Sequence, residues 1–289
     1  MTAVVQTGGL GKRYGKRWAL ENIELSIEKG EIVGFIGPNG AGKTTLISIL
    51  AGLMRPSAGT VHVATDRIGV ISDRFGCIPH LSGRANLELL ADIQNRQPSG
   101  GIAQCLSAVG LDPNDKRPVK SYSLGMQQRL MIAQAMIVEP ELLLLDEPTN
   151  GLDPEGIVLL RKWLLELSEK GVAIFLASHL LTEVEKLCRR VILVNHGKIL
   201  KEIRLDDTGT PDVGIVFSSR ADYDRFKNLG TYEFLDDVNE GKSEQPRIRI
   251  AGVDDLMPLM ECIVAERIAV EEIGRQRLSL ERAFLELLK

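Results

Sequence analysis

The chain has 289 residues, 44% of them hydrophobic, so it is long enough for one large or two modest domains with buried cores. Its formal net charge is −4 and only 4% of its residues are aromatic, which argues against a broad basic surface or a row of stacking rings for nucleic acid. The four cysteines lie far apart without a Cys-x-x-Cys pair, which favours neither a disulfide framework nor a zinc site. We therefore expect reduced thiols in a cytosolic protein.

Membrane-directing segments are not predicted. Residues 1–10 lack a basic region followed by an apolar core, as a signal peptide would have. No apolar run approaches the roughly 18 to 20 residues that span a bilayer. We expect a chain that is soluble by itself.

The first predicted elements lead into a glycine-rich loop. Residues 18–27 alternate apolar and polar side chains as a strand does, and residues 29–31 turn the chain back into an apolar strand at 31–36. Ahead of them stands Tyr14, for which two interpretations remain open. Its ring stacks on an adenine, or it is a partly buried residue beside a turn.

The loop after this strand has the pattern Gly-x-x-x-x-Gly-Lys-Ser/Thr, and a helix is predicted directly after it, at 44–51. Glycines let successive backbone N–H groups point at one anion, and the helix N-terminus adds the positive end of its dipole. Lys43 offers a charge for the β- and γ-phosphates, and Thr44 offers a hydroxyl for Mg²⁺. Strand, loop and helix together predict a nucleoside triphosphate site. Its expected members are Gly37, Pro38, Asn39, Gly40, Ala41, Gly42, Lys43, Thr44 and Thr45.

The next part of the chain changes its pattern from strands to helices. Strands are predicted at 60–63 and 66–71, followed by two helices between residues 87 and 109 that flank a polar loop at 97–101. This order predicts a small helical insertion in an α/β domain. Ser123 then precedes another helix as a candidate N-cap, and capping alone accounts for it.

A hydrophobic strand that ends in two carboxylates is the second feature with chemical content. Residues 142–145 are four leucines, as expected of a strand buried on both faces, and Asp146 and Glu147 follow. Burying an unpaired charge is costly, so these carboxylates must be solvated, paired or on a metal. Beside a phosphate loop, Asp146 is expected to help hold Mg²⁺ and Glu147 to orient or deprotonate a water. Two surface acids at a strand end are the alternative.

A further helix, strand and helix are predicted at 155–170, 172–177 and 180–188, followed by a hairpin that turns at 195–197. His179 comes directly after the strand. A histidine at the carboxyl edge of a sheet can donate to a γ-phosphate, although a lone histidine is more often structural.

In this order, the motifs resemble those of the nucleotide-binding subunit of an ABC transporter, over about residues 12–205. The resemblance implies the α/β P-loop NTPase fold, with ATP as substrate and Mg²⁺ as its metal. It implies catalytic roles for Lys43, Glu147 and His179, and a metal-binding role for Thr44 and Asp146. The remaining implied positions are Tyr14 against adenine, Ser123 and Gly125 in the signature loop, and residues 151–153 in the D-loop.

Two departures from the usual family pattern narrow the resemblance. Residues 122–126 read Tyr-Ser-Leu-Gly-Met instead of Leu-Ser-Gly-Gly-Gln, so the hydroxyl and one glycine remain while the glutamine amide is lost. Similar loops occur in bacterial exporter ATPases resembling bacitracin-resistance and lantibiotic-immunity systems. Asp73 aligns where most relatives carry Gln and this subgroup often has Glu. We expect its carboxylate to reach the metal; the alternative is that it caps the loop and faces solvent.

Residues 206–289 lie outside these motifs. Their pattern predicts a β-α-β-β-α-β order, which suits a small ferredoxin-like α+β domain, with an amphipathic helix at 279–288. We therefore predict an ATP-binding domain at 1–205, with a helical subdomain at about 74–135, and an accessory domain at 206–289. For the accessory domain we expect a role in dimerisation or regulation.

The resemblance implies an ATP-hydrolysing subunit that powers a membrane exporter through ATP-driven closure of a dimer. The expected partners are an integral membrane permease and a second copy of the chain, at the cytoplasmic face of the inner or plasma membrane. No nucleic acid is expected. The alternative is a soluble ABC ATPase that acts as a clamp on nucleic acid or ribosomes, against which stand the single motif set and the lack of a heptad arm or basic patch.

Overall fold

The structure, a computed structural model, describes residues 3–72, 76–205, 212–232, 234–237, 246–250, 253, 255–276 and 280. The chain divides into two compact units, Met1–Leu205 and Asp206–Lys289. Separate clusters of buried apolar side chains lie within each unit.

The first unit combines two sheets with α-helices. In chain order it contains β1 (Ala3–Tyr14), β2 (Arg17–Glu28), β3 (Ile32–Ile36), α1 (Lys43–Leu50), β4 (Ala58–Val63), β5 (Ile68–Ile71), α2 (Gly83–Ile93), α3 (Gly101–Ala108), α4 (Leu124–Ile137), β6 (Leu142–Asp146), α5 (Pro154–Glu169), β7 (Ala173–Ser178), α6 (Leu181–Leu187), β8 (Arg190–Asn195) and β9 (Lys198–Arg204).

The central sheet has the strand order β5-β6-β7-β3-β8-β9, parallel throughout except for β9, which returns antiparallel to β8. Every residue of Ile32–Ile36 and of Ala173–Ser178 is buried, which explains why these strands read as continuous apolar runs. Because β3, β5, β6 and β7 are parallel, the loops that follow them gather at one edge of the sheet. At that edge, the phosphate loop that follows β3 is expected to meet the carboxylates at the end of β6.

A second, antiparallel sheet has the order β2-β1-β4. The sequence did not predict β1, whose pairing is interrupted by register shifts between Thr7 and Leu10. At this irregularity the Thr7 hydroxyl donates to the Ile23 carbonyl and accepts from the Leu25 N–H, each over 2.9 Å. The Thr7 hydroxyl thus replaces backbone hydrogen bonds between β1 and β2 where the glycines of β1 interrupt the pairing.

The helical insertion lies between β5 and β6 in the chain, as predicted. Ser82 caps α2 by accepting from the Ala85 N–H over 3.2 Å. The buried Asn86 then ties the incoming loop to the helix, because its side chain accepts from the Ile78 N–H over 2.7 Å and donates to the Ile78 and Ser82 carbonyls. The α/β fold with a helical insertion is confirmed.

The second unit contains β10 (Asp212–Phe217), α7 (Arg220–Asn228), β11 (Phe234–Asp237), β12 (Arg247–Ile250), α8 (Met257–Ala265) and β13 (Val270–Gln276). Its antiparallel sheet has the order β11-β12-β10-β13, the order that a β-α-β-β-α-β unit of ferredoxin-like topology adopts. Phe217, Tyr223 and Phe226 form its aromatic core. The helix predicted at 279–288 lies outside the described residues except for Leu280.

Two further expectations concern membrane-spanning helices and the state of the cysteines. No helix in the part of the chain that the structure describes is long and apolar enough to cross a membrane. All four cysteines are free. Burial raises the pKa of the Cys77 thiol to about 11, so this side chain stays protonated near neutral pH.

Candidate active site

A cleft of about 390 Å³ lies at the edge of the central sheet where the parallel strands end. It is lined by the phosphate loop, the start of α1 and the end of β6. One residue of β2 and one residue after β5 complete the lining. The lining residues are Ala19, Asn39, Gly40, Gly42, Lys43, Thr44, Thr45, Ser72, Asp146 and Glu147. The sheet thus brings the phosphate loop together with the two carboxylates at the end of β6.

The curvature of the loop requires its glycines. Gly40 and Gly42 have φ angles of 82° and 105°, a region that residues with a side chain rarely adopt. Gly42 is also the N-cap of α1 and has no side chain with which to cap it. The first N–H groups of α1 therefore have no side-chain acceptor from the cap, which leaves a site where an anion is favoured.

Lys43 is almost fully buried at the centre of this site. Its Nζ donates to the Gly37 carbonyl over 2.6 Å and lies 3.2 Å from Oε1 of Glu147. A buried ammonium needs such partners. The loop thus folds back on its own lysine and holds the charge inside the cleft.

Thr44 and Asp146 connect the loop to β6. The Thr44 hydroxyl donates to Oδ2 of Asp146 over 2.7 Å. A hydroxyl oxygen and a carboxylate oxygen are the hard ligands that Mg²⁺ prefers, so this pair fits the metal. Among the described residues, no cluster of three or more His, Cys, Asp or Glu side chains could hold a metal ion. An ion at this pair would need further oxygens from phosphate and water, as Mg²⁺ in nucleotide sites does.

Glu147 has a left-handed backbone with a φ of 52°, unusual for a residue with a side chain. The strand fixes it there, since its N–H donates to the Ala177 carbonyl over 2.9 Å. Its Oε2 lies 3.2 Å from the backbone N and 2.7 Å from Nδ1 of His179, and 3.4 Å from Oγ of Ser178. Its Oε1 is buried and faces Lys43 without hydrogen-bond geometry. One carboxylate therefore connects the lysine to the histidine.

Tyr14 does not line the cleft. Its ring is half exposed, its hydroxyl donates to Sδ of Met54 over 3.0 Å, and Nζ of Lys12 lies 5.7 Å from the ring centroid. These contacts hold the ring at the end of β1. Its role toward adenine stays a prediction.

The loop with Ser123 and Gly125 also lies outside the cleft of its own chain. The Ser123 hydroxyl caps α4 by accepting from the Met126 N–H over 3.2 Å. Leu124 is 61% exposed and covers Gly151, where a methyl group would lie 2.5 Å from the leucine Cδ2. The segments expected to form the signature loop and the D-loop therefore lie side by side at Leu124 and Gly151.

Tyr122 directly precedes Ser123, and the guanidinium of Arg117 lies 5.8 Å from the centroid of its ring. It is buried, and burial raises the pKa of its hydroxyl, with the charge of Asp115 adding to the effect. The phenol therefore stays neutral where the family pattern has leucine.

Asp73 lies outside the described residues, so its expected contact with a metal stays a prediction. Its neighbour Ser72 is buried and lines the cleft, and so does Ala19; sequence reasoning singled out neither. A signal for Ser72 was present, because it follows β5 and parallel strands end at the same edge. Ala19 carries no such signal, since an alanine in a strand pattern has no chemistry of its own.

Comparison with known proteins decides the family. A family model described as ABC transporter matches residues 20–150. The bacitracin transport ATP-binding protein BcrA of Bacillus licheniformis is 39% identical over 218 residues, which cover 71% of this chain and 71% of BcrA. The lantibiotic transport ATP-binding protein SrtF of Streptococcus pyogenes is 41% identical over 205 residues, 68% of this chain and 89% of SrtF. The chain belongs to the ABC transporter ATP-binding proteins.

Solved structures agree with this membership. An ATP-binding cassette solved as a dimer in a post-hydrolysis state, with ADP and Pi bound, is 28% identical and has a TM-score of 0.62. The likeness covers 70% of this chain and 98% of that one. The fold of an ABC ATPase is therefore confirmed, and so is the predicted activity, because ATP hydrolysis is the activity of the family.

Proposed function

We propose that this ABC ATPase is the energy-converting subunit of a membrane exporter, and that it works as two copies bound to a permease. The observation that carries the chemical part is the position of Glu147, 3.2 Å from the Lys43 ammonium and 2.7 Å from the His179 ring. A carboxylate so placed beside a phosphate loop suits the activation of a water.

In this proposal the loop N–H groups and Lys43 bind the β- and γ-phosphates of ATP. Mg²⁺, when bound, neutralises charge on the phosphate oxygens, and Thr44 and Asp146 are the residues that would hold it. The triphosphate competes with Glu147 for the lysine. Oε1 of Glu147 is then available to accept a proton from the attacking water, while the His179 contacts keep the carboxylate oriented.

The proposal of two copies rests on where Ser123 and Gly125 lie. They lie at the N-terminal end of α4, where Ser123 is exposed and Gly125 is half-buried, and neither lines the cleft of its own chain. A second copy is needed to bring this loop to a nucleotide. A related cassette has been solved as a dimer, which supports the arrangement. Both sites of the pair would be active, since each chain carries Lys43, Asp146, Glu147 and His179.

The proposed permease contact uses a groove of about 310 Å³ between α4 and the segment after residue 75. Cys77, Pro79, Leu124 and Met131 are among its lining residues, so a helix of the permease could bury an apolar side chain there. The names of BcrA and SrtF specify transport, which supports an exporter of the same kind at the cytoplasmic face of the membrane. Selectivity for the cargo would then lie in the permease.

We assign the ATP-binding domain to residues 1–205, with its helical subdomain at about 74–135, and an accessory domain to residues 206–289. No role in nucleic-acid binding is proposed. The net charge of −4 disfavours it.

Glu147→Gln tests the central claim. We expect ATP binding to be retained, because the amide keeps the shape of the side chain and competes less for Lys43. Turnover should fall by about 100-fold or more, since the proton acceptor is lost. The variant should also form an ATP-dependent dimer on size exclusion. Glu141→Gln, at the other end of the same stretch, is the matched control and should hydrolyse ATP like the parent.

Near-normal turnover of Glu147→Gln would remove Glu147 from its role. Glu147→Gln protein that stays monomeric with ATP in the presence of its membrane partner would contradict the two-copy proposal. Failure to co-purify with any multi-helix membrane protein encoded beside it would contradict the exporter.

A further inference from the structure

The tip of the β8–β9 hairpin is built on two residues with positive φ, His196 at 47° and Gly197 at 76°. Asn195 and Lys198 pair across them, so the loop has two residues, as in a type I′ turn. Such a turn favours glycine or asparagine at both positions. His196 carries a side chain at the first of these two positions, and the packing around Gly197 gives the glycine at the second position a further reason.

Gly197 is buried against two other segments of the chain. Its N–H donates to the Ala41 carbonyl of the phosphate loop over 3.1 Å, and its own carbonyl accepts from the Glu21 N–H over 2.8 Å. A methyl group at Gly197 would lie 2.5 Å from the Ala19 carbonyl oxygen and 2.7 Å from its carbon. Real side chains do not approach a backbone so closely, so the contact requires glycine.

The same Ala19 oxygen also faces the phosphate loop. A methyl group at Gly42 would lie 2.5 Å from it. One carbonyl of β2 is therefore enclosed between a glycine of the hairpin and a glycine of the loop. Ala19 itself lines the cleft. An exposed ion pair between Lys198 and Glu21, 3.3 Å apart, closes the junction on its outer side.

We propose that Gly197 is a positioning residue for the phosphate loop. It holds the Ala41 peptide and the Ala19 carbonyl at the separation that the loop needs to keep its N–H groups directed at one anion. The inference rests on the proposed role of residues 37–45 in binding the phosphates of ATP. The hairpin contacts neither Glu147 nor His179 in the described hydrogen bonds, so Gly197 affects binding and not the proton-transfer step.

The test compares substitutions at two glycines of positive φ. At Gly197 the Ala19 carbonyl leaves no room for any Cβ. Gly197→Ala and Gly197→Asn should therefore weaken ATP binding to the same extent. At Gly171, with a φ of 90° and nothing within 4 Å of an added methyl group, only the backbone conformation matters. Asparagine tolerates that conformation better than alanine. The stability of Gly171→Asn should therefore be closer to that of the parent than the stability of Gly171→Ala.

We expect KM for ATP to rise about 10-fold or more in both Gly197 variants, with kcat within about threefold of the parent. Both Gly171 variants should keep the parental KM. A merely structural role would lower the folded fraction, which lowers the apparent kcat per chain and leaves KM unchanged. Parental KM in folded Gly197 variants would therefore overturn the inference.

Two further measurements keep the outcomes separate. Lys43→Ala should abolish ATP binding, and if it does not, the proposed phosphate site itself has failed. If the Gly197 variants do not fold, hydrogen exchange of the parent decides. ATP should slow exchange of the Gly197 amide, which bonds to the loop, and should leave the Gly171 amide, which donates to Ser168, unchanged. Equal exchange at Gly197 with and without ATP would refute the positioning role.

Discussion

Nδ1 of His179 lies 2.7 Å from Oε2 of Glu147, and the backbone nitrogen of the same histidine lies 3.2 Å from that oxygen. The two residues follow β6 and β7, which are neighbours in the sheet. A neutral imidazole that donates from Nδ1 has an unprotonated Nε2, which only accepts. In that tautomer, His179 can donate to a γ-phosphate only after its Nδ1 leaves Glu147.

This contact predicts that His179→Ala lowers kcat about 100-fold with little change in KM for ATP, because the orientation of Glu147 is lost while the phosphate loop is untouched. Steady-state ATPase kinetics measure the two constants. Ser178→Ala removes the longer contact of 3.4 Å and is the control, with a smaller loss expected. An equal fall in kcat in the two variants would show that the imidazole does not orient Glu147 more strongly than the serine does.

Ser123 carries a structural role that must be separated from its proposed role at the nucleotide of a second copy. Ser123→Ala should cost about 1 kcal/mol of stability, because α4 loses its cap. Ser123→Asn and Ser123→Asp keep a capping oxygen, so thermal unfolding should place both near the parent. We expect partner-stimulated ATPase activity to fall in all three, most of all with the aspartate, whose charge repels a triphosphate. Activity that follows stability across the series would reduce Ser123 to a helix cap.

Asp73 follows Ser72, which lines the cleft, and we predict that its carboxylate links the metal to the permease contact. Asp73→Ala should keep ATP affinity but weaken the dependence of hydrolysis on Mg²⁺ and its stimulation by the permease. Asp73→Glu, which keeps the charge, should retain both. Titration of Mg²⁺ against ATPase rate, with and without the permease, gives the answer. A parental profile for Asp73→Ala in both assays would leave Asp73 as a loop residue that faces solvent.

Several elements could be predicted because their information is local. The phosphate loop is a run of nine residues whose glycines, lysine and threonine carry their chemistry wherever the run is placed. The four leucines before Asp146 predicted a buried strand for the same reason, and it is β6. The hairpin tip at 195–197 was also predicted, since its turn residues are adjacent in the chain.

The strand β1 escaped prediction because its identity depends on its neighbours. Gly8, Gly9 and Gly11 interrupt the alternation of side chains that marks a strand. The segment becomes a strand because β2 and β4 pair with its two sides. Gly59, whose φ is 73°, lets β4 pass against Gly8 and Gly9, where a side chain would collide with their carbonyls.

The sequence by itself determined which groups this ABC ATPase carries, and only the tertiary structure decided which of them meet. Thr44 and Asp146 are 102 positions apart, and their 2.7 Å hydrogen bond depends on the strand order β6-β7-β3. Gly197 looked like an ordinary turn residue until the hairpin was placed against Ala19 and Ala41. The physical reason is that short patterns fix local backbone and side-chain chemistry, whereas contacts between distant segments follow from how the sheet buries its apolar faces.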